Sequence, residues 1–150
     1  MTKYSRFAAM ILTSTIVMFG LMYLHTYEFD HVFFSETRSY MALLMGATMA
    51  VIMLAFMLGM YSNARLNTGI FVGALLVFVV ALWLVRSQTT VGDVSYMKAM
   101  IPHHSIAILT SERAQLSDPR VRELADAIIK AQRKEIAEMK ALIQELENKK

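Results

Sequence analysis

Hydrophobic and polar positions divide the chain into two unlike stretches. The first is built from three windows without a single Asp, Glu, Lys or Arg, at residues 7–27, 39–64 and 66–85. Each is long enough to cross the hydrocarbon core of a bilayer as a helix, which takes about 20 residues. Tyr4, Tyr23, Tyr27, Tyr40, Tyr61 and Trp83 fall near the window ends, where amphipathic rings favour the membrane interface. The pattern predicts a three-span transmembrane domain over 1–86, with spans at about 7–27, 40–61 and 68–85. The first window is too long for the apolar core of a signal peptide, and no small-x-small cleavage site follows it, so it reads as an uncleaved anchor.

From residue 87 the period changes to that of amphipathic helices. Thr90 and Asp93 have the spacing of a capping box, which predicts a helix over about 93–114. Pro102 falls inside it, where the ring removes the bond to the Lys98 carbonyl and bends the axis. Ser117-Asp118-Pro119 stops one helix and starts the next, with Asp118 as cap and Pro119 at the first helical position. The second helix is expected over about 119–148, with Val121, Leu124, Ile128, Ile136, Met139, Leu142, Ile143 and Leu146 as its apolar stripe. Arg122–Asp126, Asp126–Lys130 and Lys134–Glu138 pair charges at four-residue spacing on the other face. The fold class is therefore all-α: three transmembrane helices, then a two-helix antiparallel hairpin over 87–150. A lone hairpin of that size buries little surface. Pairing with a second copy into a four-helix bundle would close its stripe, which predicts a homo-oligomer, a dimer or higher.

Charge sharpens the division. Residues 1–86 carry five Lys/Arg and three acids, whereas 87–150 carry ten and nine. The polar part is nearly neutral and its signs alternate, so no basic stripe for nucleic acid exists despite a pI of about 9.3. Lys3 and Arg6 precede the first span and favour a cytoplasmic N-terminus. Three spans then place the C-terminal domain outside the cytoplasm, periplasmic if the membrane is a bacterial inner (plasma) membrane. Small residues repeat at four-residue spacing in Ala42-Gly46-Ala50, Ala55-Gly59 and Gly69-Gly73, as in closely packed membrane helices.

The chain has no cysteine but 13 methionines and four histidines. Disulfides, thiolate metal sites and cysteine nucleophiles are excluded together. At about 100° per residue, Met97, Met100 and His104 share one helix face, while His103 is turned about 100° from His104. A hairpin turning near residue 117 sets Met139 beside Met97, Glu135 beside Met100 and Gln132 near His103. Thioethers are soft donors that suit Cu(I) and, by extension, Ag(I), and they hold hard ions poorly. A di-iron carboxylate centre would need Glu-x-x-His on bundle helices. The one such spacing, Glu28–His31, lies between spans. Taken singly, each methionine also fits ordinary gap-filling in a core. A second series, Met41, Met45, Met49, Met53, Met57 and Met60, runs along the middle span. It reads as apolar filler or as a relay for Cu(I). Met22 and His25 stand one turn apart at the end of the first span, near His31 and Met41 in this topology, as interfacial residues or as ligands.

The run Asp93-x-x-x-Met97-x-x-Met100-Ile101-Pro102-His103-His104-x-x-Ala107 resembles the signature of the family called domain of unknown function 305. So does Asp118-Pro119-x-Val121-x-x-Leu124-Ala125-x-x-Ile128-Ile129-x-x-Gln132-x-x-Glu135-Ile136-x-x-Met139. The resemblance covers about residues 90–146. It implies a ferritin-like helical domain, usually exported, whose CopM-like members bind copper and in some cases silver in metal tolerance. By resemblance, Met97, Met100, His103, His104 and Met139 match the ligand-type positions. Asp93, Gln132 and Glu135 match signature positions as outer-shell or further ligand candidates. Longer members carry two hairpins per chain, which this chain lacks, and many have Trp where Leu142 stands.

Together these features point to a non-enzymatic, membrane-anchored protein that sequesters or hands over Cu(I) outside the cytoplasm. Its expected partners are the lipid bilayer, further copies of itself and a copper donor or acceptor protein. Competing readings are a metal-free oligomeric scaffold, a metal relay along the methionines of the second span, and an oxidoreductase holding haem or copper through His25 and a methionine.

Overall fold

A computed structural model describes residues 2–149. Five α-helices occur among the described residues: α1 (Lys3–Leu21), α2 (Glu36–Phe56), α3 (Ala64–Ser87), α4 (Asp93–Arg113) and α5 (Pro119–Asn148). Short 3₁₀ turns occur at Phe29–His31 and Leu58–Met60, and there is no strand among the described residues. The all-α expectation holds, and α1, α2 and α3 are each long and apolar enough to cross a membrane. The helices belong to two compact units. Residues up to 22 and 37–90 form one, and 23–36 with 91 onward form the other.

In the first unit the helix ends are set by local chemistry. The Thr2 side chain caps α1 by accepting from the Ser5 N–H, and Asn63 caps α3 by accepting from Leu66 N–H. Such caps satisfy amides that have no partner within the helix. α3 ends at Gln88, which takes a left-handed conformation with φ 53°. Its side chain accepts from Thr37 Oγ1 at 3.1 Å and donates to the Val85 carbonyl at 2.7 Å, offsetting the strain of a non-glycine there. The guanidinium of Arg38, buried on α2, donates to the Met22 carbonyl at the end of α1.

Phe7, Ala50, Leu54, Tyr61 and Ala74 form the core of this unit. Tyr4 Oη donates to Asn67 Oδ1 at 2.8 Å, and Asn67 Nδ2 donates to the Tyr61 carbonyl at 2.8 Å, so the polar groups beside this core are satisfied. The small-residue patterns behave differently from one another. Ala42, Gly46 and Ala50 are buried in α2, and a Cβ added at Gly46 would fall 2.3 Å from Thr15 Oγ1 of α1. Gly59, Gly69 and Gly73 have open space where a Cβ would be. Leu75, Leu76, Val79, Val80 and Trp83 of α3 are exposed, which suits an apolar surround.

Two boundaries differ from the sequence pattern. α1 stops at Leu21, short of the charge-free limit at Tyr27, because Thr26 folds back and gives both its N–H (3.2 Å) and its Oγ1 (2.8 Å) to the Tyr23 carbonyl. α2 stops at Phe56, so Met57 and Met60 of the methionine series lie beyond the helix.

The second unit is built on the antiparallel pair α4–α5. Asp118 accepts from the Arg120 N–H and Pro119 opens α5, as the sequence pattern requires. α4 starts at Asp93 as expected, but its cap differs from expectation. Gly92 is its cap, without a side-chain bond, and Thr90 bonds Tyr40 Oη at 2.8 Å in the first unit instead of capping α4. α4 runs on through Pro102 as one helix. Met97, Ile101 and Ile108 pack with Ile136 and Ile143 in the core. The expected stripe is only partly covered, for Val121, Leu124 and Leu142 remain exposed. Of the expected charge pairs on α5, Arg122–Asp126 forms at 3.3 Å.

Residues 23–36 pack against the hairpin, adding Tyr27 and Phe33 to its core. Ser105, wholly buried on α4, accepts from Tyr27 N–H at 2.7 Å and meets His31 Nδ1 at 3.0 Å. Lys140 of α5 donates to Asp30 at 2.5 Å, Ser95 of α4 donates to Glu36 at 2.8 Å, and the Arg133 guanidinium sits 5.9 Å from the centre of the Tyr27 ring.

Gly46 and Gly73 give a direct test of helix packing in the first unit. Gly46→Val should destabilise it by about 1–3 kcal/mol, the usual cost of overpacking. Gly73→Val should be near neutral, because its Cβ position is open. Thermal unfolding of the full chain in detergent, monitored by circular dichroism, measures both.

A candidate metal site on the helical hairpin

Most of the residues singled out in the sequence line a groove between α4 and α5 with a volume of about 640 Å³. From α4 it is lined by Asp93, Tyr96, Met97, Met100 and His104, and from α5 by Glu135, Glu138, Met139, Leu142 and Leu146. Positions 93, 97, 100 and 104 repeat at four- and three-residue steps, as do 135, 139, 142 and 146, so each set occupies one face of its helix. Met97 is buried at 7% exposure, whereas Met100 and Met139 are half-buried. Three thioethers therefore share one cleft with one imidazole and several carboxylates.

His104 is held from both sides. Its Nδ1 lies 3.0 Å from the Met100 carbonyl, one turn earlier on α4, and its Nε2 lies 2.8 Å from Glu135 Oε2. Both partners are acceptors, so either ring nitrogen can serve as the donor, according to the tautomer. An ion bound at Nε2 would take the place of the proton there, while the Met100 carbonyl kept the ring oriented through Nδ1–H. Glu135, with its side chain half exposed, would then balance the charge of the ion.

Not every expected residue enters the groove. His103 is exposed and absent from the lining, with its ring centre 6.4 Å from that of His104 at an interplanar angle of 66°. Gln132 is half-buried and also outside the lining. Glu135 bonds His104, one turn beyond the Met100 that the simple hairpin register placed beside it. Helical side chains lean toward their own N-terminus, which displaces contacts across an antiparallel pair. Tyr96, Glu138, Leu142 and Leu146 line the groove without having been singled out as site residues. The signal for Leu142 and Leu146 was present in the step pattern from Glu135 and Met139.

The comparisons with known proteins bear on this unit first. The model of the domain of unknown function 305 matches residues 93–150, so α4 and α5 together are the matched region. The chain belongs to that family. It is also similar to Uncharacterized protein L153 of Acanthamoeba polyphaga mimivirus, at 32% identity over 150 residues, with 94% of this chain and 97% of that protein covered. The likeness therefore extends through the three apolar helices. No solved structure matches the chain.

Met97 belongs both to the core and to the groove, so its substitutions separate two roles. Met97→Ala should cost about 2–5 kcal/mol by removing buried volume. Met97→Leu conserves volume and should cost less than about 1.5 kcal/mol. Denaturation of the full chain in detergent, without added metal, gives the comparison.

Proposed function

We propose that this protein is a membrane-anchored, non-enzymatic binder of Cu(I), and by extension Ag(I), that sequesters or hands over the ion outside the cytoplasm. The observation that carries the reading is the gathering of Met97, Met100, Met139 and His104 in one groove. This donor set favours soft monovalent ions over hard divalent ones. Thioethers have no proton to lose, so pH acts on such a site through its imidazole. The ion is cargo, and its donors or acceptors are other proteins. Membership of the family adds the CopM-like precedent for copper. The resident membrane is a plasma (inner) membrane, with a cytoplasmic N-terminus favoured by Lys3 and Arg6. Homo-oligomerisation accounts for Val121, Leu124 and Leu142, which are exposed apolar residues on the hairpin.

Cu(I) titration of the full chain in detergent under reducing conditions, against a competing chelator, tests the site. Met100→Leu with His104→Ala should weaken binding by more than about 100-fold, since loss of an outer-shell partner alone costs about 10–100-fold. Met49→Leu with Met53→Leu should leave it unchanged, and His103→Ala should change it little. Loss of binding on altering the α2 methionines, with retention on altering the hairpin, would move the function to a transmembrane relay.

Topology has its own readout. A reporter active only outside the cytoplasm, fused at the C-terminus, should be active. Activity of a cytoplasmic reporter alone would reverse the proposed orientation.

A further inference from the structure

Outside the groove, the second unit holds another gathering of metal-type donors. Glu28, Asp30 and His31 each place a ligand atom within 4.8 Å of the others. His31 is only 6% exposed and its Nε2 faces the two carboxylates. The separations are 3.9 Å to Glu28 Oε2 and 3.7 Å to Asp30 Oδ1, too long for hydrogen bonds. They approach the spacing of two donors on one ion, because ligands 2.0–2.2 Å from a tetrahedral Zn²⁺ lie about 3.4 Å apart.

We propose that Glu28, Asp30 and His31 form a divalent-cation site of the Zn²⁺ class, distinct from the thioether groove. Ser105 supplies the support such a site requires. Its hydroxyl accepts from Tyr27 N–H and lies 3.0 Å from His31 Nδ1, where a second lone pair can accept an Nδ1–H. With Nδ1 protonated and donating, the Nε2 lone pair points to the carboxylates, the tautomer a metal needs. Burial of the ring, and then the charge of Lys140, lower the basicity of His31 and favour its neutral form.

The carboxylates divide their tasks. Lys140 holds Asp30 through Oδ2, which leaves Oδ1 toward His31, and this bond keeps the Asp30 carboxyl ionised below its ordinary range. Two carboxylates against one ammonium leave a net negative charge for the cation. Imidazole and carboxylate oxygen suit Zn²⁺, whereas the thioethers of the groove bind it weakly. The bound ion would clamp the turn at Phe29–His31, which Ser105 already joins to α4. The proposal does not depend on the copper reading.

The test uses metal-free full-length protein in detergent micelles, titrated with Zn²⁺ against a chromophoric chelator, and with Co²⁺ as a spectroscopic probe. A single Zn²⁺ site is expected, with visible Co²⁺ bands from the nitrogen and oxygen donors. Glu28→Gln, Asp30→Asn and His31→Ala should each weaken it by at least about tenfold, the lower end of losses at metal sites. Met100→Leu with His104→Ala should leave it within about twofold, because neither residue belongs to the cluster. Zn²⁺ should also raise the thermal midpoint of the wild type, by mass action on the folded state. Glu28 has a side chain 54% exposed, so Glu28→Gln keeps the fold and the test stands even if His31→Ala does not fold. No Zn²⁺ binding by the wild type would overturn the site. So would affinity unchanged in Glu28→Gln and Asp30→Asn, or affinity lost only in the groove variant.

Discussion

The hydroxyl of Ser105 is the contact on which the second unit depends. It is fully buried in α4 and bonds the backbone of Tyr27 and the ring of His31, residues more than seventy positions away in sequence. A buried hydroxyl without partners would cost free energy, and the amide of Tyr27 would lose its own partner in turn. The bond therefore ties the segment 23–36 to the hairpin. That segment brings Tyr27 and Phe33 against the core of Met97, Ile101, Ile108, Ile136 and Ile143. A two-helix hairpin buries too little by itself.

The groove illustrates how packing and chemistry share residues. Met97 lies in the core and lines the groove, while Met100 and Met139 are half-buried beside it. A flexible, polarisable side chain fills irregular space and offers a soft donor with the same atoms. His104 differs, because its two hydrogen bonds fix its direction. The rigid imidazole and the adaptable thioethers therefore line one groove. A cation there would meet the carboxylate of Glu135, which already faces Nε2.

The apolar unit combines one close helix approach with polar bonds at its helix ends. Gly46 lets the Thr15 side chain of α1 approach α2 where any larger residue would collide. Its polar residues work at the ends and beside the core: Arg38 on the last turn of α1, Gln88 at the end of α3, and Tyr4 and Asn67 beside Tyr61. Each satisfies backbone or side-chain groups that hydrocarbon could not.

Much of this was legible in the sequence because it is local. Charge-free windows of membrane length, the Asp118-Pro119 restart and the steps 93-97-100-104 depend only on helical rise and period, and each matches an observed helix or face. His103 was harder to place, since adjacent residues differ by about 100° and only the partner helix decides which direction is inward. Thr90 had the spacing of a cap but was taken by Tyr40, because a local motif competes with any distant partner that reaches it. The glycines of α3 share the spacing of Gly46 yet face open space. The cluster of Glu28, Asp30 and His31 was visible only as a spacing between spans. Burial of His31 and its bond to Ser105 arise from residues far apart in the chain, brought together when 23–36 packs on α4. Periodicity determined which residues share a helix face. Tertiary structure decided which faces meet, because that depends on the free energy of burying particular side chains against one another, which no single helix contains.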